Sequence, residues 1–341
     1  MSSSSDPSAI TQRKAELPIT PQDAIMNTSK NIFPVGEIKH TIGKMMTDES
    51  FFSHHFVGEM VSAGGEAVFK ENNTLYPIRK FPYSGNKDGA VEIYEKPILD
   101  KKTSKALSNR YLASADPIDF DLNTYTDSLG SIFVMDAVKD VVVAEYTGRF
   151  LLADDFYKTA ALLAEYYNCQ INYGNRTRGM YPYFKNHGIL HLLADTPQIL
   201  FDKDLTKTKG VGNNSKGTIE NPQVVSWANG LIRDWLLSEA YYQEYDENQE
   251  KITNYLNVHK IRSKALLEEL AAYNDDGNFD RVAAFRLLMI LRKDREQFKI
   301  MSPQSHQKTV DDTVFGKHWD KFSTKNKSAI KTSVFNNFDF Y

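Results

Sequence analysis

The residues of this chain best suited to chemistry are acids that stand where ordered elements stop. Asp116 closes the strand-like run in YLASADPIDFD, residues 111–121. Leu112 to Ala115 are small and apolar, and Pro117 removes the next backbone donor, so Asp116 is expected to project from the carboxyl end of a buried strand. Ligands of open α/β sheets collect at that edge. An Asp-Pro pair also makes an ordinary turn, so Asp116 gains chemical meaning only from partners. Asp280 in GNFDRVAAFRLLMILR is the strongest of these: Gly277 and Asn278 interrupt the chain, and Asp280 opens an almost wholly apolar helix. The helix macrodipole favours a first-turn acid even without a metal. Carboxylates brought together from separate segments are what two-metal phosphodiester hydrolysis requires, with divalent ions about 4 Å apart, one activating water and one stabilising the leaving oxygen.

A further carboxylate is expected just past the strand in CQINYGNRTRG, where the chain has Gly174. Asp195, opening an Asp-Thr-Pro turn, is the candidate substitute, although that tripeptide is also a plain turn signal. Glycine supplies neither charge nor reach, so Gly174→Glu is expected to raise metal-dependent cleavage. Arg176 and Arg178 beside Gly174, and Lys203, Lys207, Lys209 and Lys216 in the polar stretch 202–221, are placed to track phosphates or simply to face solvent. His187 and His191 have i, i+4 spacing, but Gly188 interrupts them and no further ligand completes a zinc pattern. GVGNNSKGT, 210–218, has glycines without the Gly-Lys-Ser/Thr ending of a phosphate-binding loop.

These residues sit in a chain of 341 residues with 41% hydrophobic content and a net charge of -3, long enough for a sizeable core and without a global basic character. Any nucleic-acid surface must be local. The single cysteine, Cys169, excludes an internal disulfide and points to packing in a reduced compartment. No apolar stretch has the length of a membrane span, and the Ser-rich start lacks the features of a signal peptide. Strands are expected at 111–115, 130–136, 140–147, 169–173 and 189–194, with helices at 154–167, around 178–185, and at about 222–241, 258–273 and 279–296. A three-stranded meander followed by crossovers to parallel strands is the order of a ribonuclease H-like mixed sheet, here five-stranded and flanked by helices. The expected division is a flexible leader and linker over 1–50, a small β-rich accessory region over 51–105, the ribonuclease H-like domain over 106–300 and a tail over 301–341.

The chain resembles the C-terminal nuclease half of tailed-phage terminase large subunits. The matching segments are ADPIDFD (115–121), SLGSIFVMD (128–136), VAEYTGR (143–149), YYNCQINYGNRTRGMYPYF (166–184), HLLADTP (191–197), LIRDWL (231–236) and GNFDRV (277–282). KAELPITPQDAI, 14–25, looks like the end of that family's ATPase domain. The resemblance covers roughly 14–300. It implies an endonuclease that cuts concatemeric double-stranded viral DNA during packaging, with Asp116 and Asp280 as ligands of two Mg²⁺ or Mn²⁺ ions. It also implies partners (the ATPase half, a portal protein and a small terminase subunit) and action in the host cytoplasm, transiently at the procapsid portal. The missing phosphate-binding loop implies a truncated or separately encoded half. The family's acidic residue at the position of Gly174 is absent, which leaves a second expectation open: a catalytically silent ribonuclease H-like module that binds DNA or docks a portal. A third, a resolvase- or ribonuclease H-type enzyme acting on junctions or hybrids, fits the ATPase-like N-terminal stretch less well.

Overall fold

A computed structural model describes residues 31–48, 55–79, 87–118, 128–176, 179–206, 216–240, 244–245, 251–253, 255–274 and 276–301. Arg178, Lys207, Lys209, the leader and the tail beyond 301 lie outside the described residues. In chain order the elements are α1 (Val35–Thr47), β1 (Phe56–Ala63), β2 (Glu66–Glu71), β3 (Val91–Ile93), β4 (Tyr111–Asp116), β5 (Gly130–Asp136), β6 (Val141–Gly148) and α2 (Ala153–Tyr166). There follow β7 (Ile171–Tyr173), α3 (Met180–Asn186), one helical turn at Ile199–Asp202, α4 (Pro222–Leu236), a small hairpin of β8 (Glu244–Tyr245) and β9 (Lys251–Thr253), α5 (Lys264–Ala272) and α6 (Asp280–Met301). The chain divides into two compact units after Lys293, and the last turns of α6 belong to the second.

Among the described residues, the main sheet has the order β2-β1-β3-β6-β5-β4-β7. β4, β5 and β6 form the expected antiparallel meander, and β7 joins β4 in parallel with Ala113 opposite Ile171 and Ala115 opposite Tyr173. This is the ribonuclease H-like arrangement. β5 is buried along its whole length, which is why GSIFVMD reads as a continuous apolar run rather than an alternating one. The sheet has seven strands rather than five, because β1, β2 and β3 do not form a unit of their own. β3 pairs antiparallel with β6 and carries β1 and β2 outward from that edge. The expected strand at 189–194 is a correction of another kind. Gly188, at φ 71°, turns the chain, Leu190–Leu192 form one 3-10 turn, and Leu193 alone meets Ile171 across a parallel bridge. His187 ends α3 and His191 belongs to that turn, so the pair does not share a helix.

The two faces of the sheet differ in chemistry. On one, Ala113, Ala115, Ile132, Val134, Ala144 and Tyr146 pack with Phe156, Ala160 and Leu163 of α2 in an apolar layer, and buried Cys169 joins it as plain packing. On the other, Leu112, Phe133 and Met135 pack with α4, α5 and α6, but polar residues alternate with them. Ser114 Oγ donates to the Ala284 carbonyl (2.7 Å) and Asn172 Nδ2 to the Leu287 carbonyl (2.8 Å), which fixes how far along the sheet α6 lies.

The first turn of α6 is anchored by a buried ion pair. Arg281 and Glu269 are each 1% exposed; Arg281 Nη1 donates to Glu269 Oε1 (2.9 Å), and Glu269 Oε2 accepts from the Arg281 (2.9 Å) and Val282 (3.3 Å) amides. Burial pushes Glu269 up to about 7 even with Arg281 upon it. Glu145, opposite Glu92 in the β3–β6 register, is pushed up to about 8 by burial and by Glu92, with Arg281 opposing. Glu92 moves the other way: its burial is outweighed by His55 Nε2 and Arg79 Nη2, both at 2.7 Å.

Arg281 therefore compensates more than one buried carboxylate. Removing one member of such a pair typically costs ~3–5 kcal/mol, whereas replacing both with groups of like shape is close to neutral. Arg281→Met is expected to lose roughly that much stability in urea unfolding, and Arg281→Met/Glu269→Gln to recover most of it.

Candidate metal centre at the carboxyl edge of the sheet

Asp116 is the last residue of β4, on the face that α6 covers, two residues from Ser114 and opposite Ser131 of β5. Because β7 runs parallel to β4, its carboxyl end reaches the same edge, and the Gly174 amide there donates to the Ala115 carbonyl (3.3 Å). Asp280 arrives from α6. Its Oδ2 accepts from the Leu129 amide (2.8 Å) and from Asn278 Nδ2 (3.3 Å), and its Oδ1 from Ser128 Oγ (3.0 Å). Ser128 and Leu129 directly precede β5, so Asp280 is held beside the strand that neighbours Asp116.

A third acid enters from a segment the sequence marks only as a polar loop. Residues 216–220 run alongside β7: the Thr218 amide donates to the Tyr173 carbonyl (2.8 Å), the Asn175 amide to the Thr218 carbonyl (2.8 Å), and Gly174 and Thr218 form a parallel bridge. Gly217, at φ 77°, makes that approach possible, since a Cβ there would stand 2.7 Å from the Tyr173 ring and carbonyl. Asn221 then caps α4, its side chain accepting from the Val224 amide (2.9 Å). Between bridge and cap sits Glu220, 7% exposed, with Oε1 3.1 Å from Arg286 Nη1. The signal that could have found it is an acid directly before the Asn-Pro helix start in TIENP.

Burial, then Glu220, then Asp280 push the Asp116 carboxyl well above its usual range, opposed by Arg286 and Arg176. Asp280 is raised as well, mainly by burial, with its Leu129 and Ser128 bonds working against the rise. Desolvated carboxylates that repel one another disfavour their charged forms, and a bound cation reverses that preference. Among the described residues no three His, Cys, Asp or Glu side chains are gathered into a ready-made metal cage. Asp280 is turned onto the amide and hydroxyl at 128–129, while Asp116 and Glu220 crowd one point beside Gly174: a Cβ at 174 would stand 2.9 Å from Glu220 Oε2 and 3.5 Å from Asp116 Oδ1.

The other expected site residues fall differently. Arg176 is exposed and close enough to bear on Asp116. Asp195 does not join the acids: its side chain is 76% exposed and pairs with Lys216 Nζ at 2.8 Å, the two residues also forming an isolated antiparallel bridge. Lys216 Nζ also donates to the Leu193 carbonyl (2.9 Å), so its ammonium is engaged by two groups of the chain itself. Gly174→Glu loses its simple rationale, because Glu220 and Asp116 already flank the space that a side chain there would enter.

No protein-family model matches the chain, and no curated protein matches it. Among solved structures, the chain is similar to the large terminase nuclease from thermophilic phage G20c in three crystal structures: with bound zinc, with bound magnesium, and a third of the same nuclease. Identity is 11%, 11% and 10%, with TM-scores of 0.36, 0.36 and 0.26; each match covers 63% of this chain and 91%, 90% and 91% of the other. A likeness of that size bears on neither site nor activity.

The strain at Asp116 has a measurable sign. Its folded affinity for a proton exceeds its unfolded one, so stability falls as pH rises above the ordinary carboxylate range. Asp116→Asn removes the group and is expected to raise the melting temperature in EDTA at pH 8, with the gain shrinking as pH is lowered toward 4. Equal melting temperatures at pH 8 would show that Asp116 is not under this strain.

Proposed function

We propose that the chain is a divalent-metal-dependent endonuclease that cuts double-stranded DNA, of the packaging-terminase type its motifs resemble. The observation that carries this reading is the placement of the half-buried Asp116 carboxylate at the carboxyl edge of the sheet, with Glu220 and Asp280 near enough to raise its proton affinity. In the core, Arg281 is paired directly with Glu269. At Asp116 the arginines only partly offset the acids, and a divalent cation is the natural complement.

Asp116 and Asp280 are the proposed ligands of Mg²⁺ or Mn²⁺, and the oxygen donors suit such hard cations. When bound, the ions would lower the pKa of a water and stabilise the leaving phosphodiester oxygen. The chain's own contribution is positioning. Ser128, Leu129 and Asn278 hold the Asp280 carboxylate in one orientation, and the bonds from Ser114 and Asn172 to α6 hold that helix against the strand carrying Asp116. Exposed Arg176, and Arg178, Lys207 and Lys209, are the proposed phosphate contacts, while the ATPase half, a portal protein and a small terminase subunit are the proposed partners. No helix among the described residues is long and apolar enough to cross a membrane. Gly174 favours a second reading, in which the same fold binds DNA or docks a portal without cutting.

Plasmid cleavage separates the two. With Mg²⁺ or Mn²⁺ the chain is expected to nick or linearise double-stranded DNA, EDTA to stop it, and Asp116→Asn or Asp280→Asn to slow it by about 10²-fold or more, the size of effect that a few kcal/mol of barrier gives. DNA binding without metal-dependent cleavage would support the silent module instead.

A further inference from the structure

Position 174 is glycine for reasons of space. Its φ lies outside the left-handed region, so the backbone there does not require glycine, unlike Gly217 at φ 77°. What a side chain there would have to displace is the end of another side chain. A Cβ would stand 2.9 Å from Glu220 Oε2, 3.5 Å from Asp116 Oδ1 and 3.7 Å from Leu287 Cδ1. The first of these is closer than real Cβ contacts come, and its partner is a carboxylate oxygen that reaches in from another part of the chain.

We infer that Glu220 supplies, from the segment before α4, the metal-binding carboxylate that position 174 lacks. This rests on the metal-dependent reading above and adds a ligand to it. Two features support it. Glu220 is anchored on both sides, by Thr218 on β7 (with Thr218 Oγ1 also donating to Asn172 Oδ1 at 2.9 Å) and by the Asn221 cap. Its carboxylate is divided in function: Oε1 is held by Arg286, whose Nε donates to Asn229 Oδ1 (2.9 Å), while Asn229 Nδ2 donates to the Tyr273 hydroxyl (2.8 Å). That chain of bonds holds Oε1 toward Arg286, while Oε2 and Asp116 Oδ1 both face the space at position 174. A ligand oriented by a hydrogen-bonded partner is the usual construction of a metal site. Glycine at 174 and glutamate at 220 are then one arrangement, the first making room for the second.

The competing account is that Glu220 serves only to neutralise Arg286. Mn²⁺ titration of the full-length protein followed by electron paramagnetic resonance distinguishes them without an activity readout. Glu220→Gln keeps an acceptor for Arg286 but removes the charge, and is expected to weaken Mn²⁺ binding about tenfold or more, the scale on which even outer partners of a metal site act. In Glu220→Ala the space at 174 opens, and Gly174→Glu/Glu220→Ala is expected to recover most of the affinity, whereas Gly174→Glu alone is not expected to tighten binding. If folded Glu220→Gln binds Mn²⁺ like the parent while Asp116→Asn binds it weakly, the inference is overturned and the metal reading stands. If the parent binds no Mn²⁺, both fall. Should Glu220→Gln fail to fold, the double variant decides: tight binding supports the inference, and affinity no better than that of Glu220→Ala overturns it.

Discussion

A carboxylate taken out of water must be compensated by a cation, by hydrogen-bond donors or by a proton, and at the carboxyl end of β4 the protein itself supplies too little of any of these. Asp116 is half-buried next to Glu220 and Asp280, with Arg286 and Arg176 as partial counterweights. Much of the surrounding architecture serves to keep these acids together against their repulsion. Ser114 and Asn172 tie α6 to β4 and β7, the Thr218 bridge ties the 216–220 segment to β7, and Ser128 with Leu129 secures Asp280. Arrangements that cost stability in the free protein mark sites where a ligand repays the cost.

Consecutive residues at the start of α6 divide two tasks. Successive side chains on a helix diverge by about 100°, so Asp280 and Arg281 face different surroundings. Asp280 meets the sheet edge, and Arg281 turns into the core to meet Glu269. The buried ion pair thereby fixes the end of the helix on which the candidate ligand is mounted, and Glu269 also takes up two amides of the first turn.

Elements punctuated locally were legible in the sequence. Pro117 after Asp116, and Gly277 with Asn278 before Asp280, announce where a strand stops and a helix starts, and the apolar runs of β5 and β6 announce buried strands. What escaped depends on distant partners. ILHLLA has the composition of a strand but is diverted by the turn at Gly188, which its own pattern does not reveal. β1 to β3 look like a separate β unit because nothing in their sequence says that Glu92 lies opposite Glu145. Glu220 resembles any solvated loop acid until the Gly174–Thr218 bridge and Arg286 are known. Asp195 reads as a turn residue because nothing in its own sequence shows that it bridges and pairs with Lys216.

The central claim is that this edge binds divalent cations between β4 and the start of α6. The most direct measurement is an anomalous difference map from crystals soaked in Mn²⁺. The account predicts a peak within bonding distance of an Asp116 carboxylate oxygen, with Asp280 on the same ion or on a neighbouring one about 4 Å away. Well-ordered Asp116 and Asp280 with no peak between them, at a Mn²⁺ concentration that supports cleavage, would contradict it.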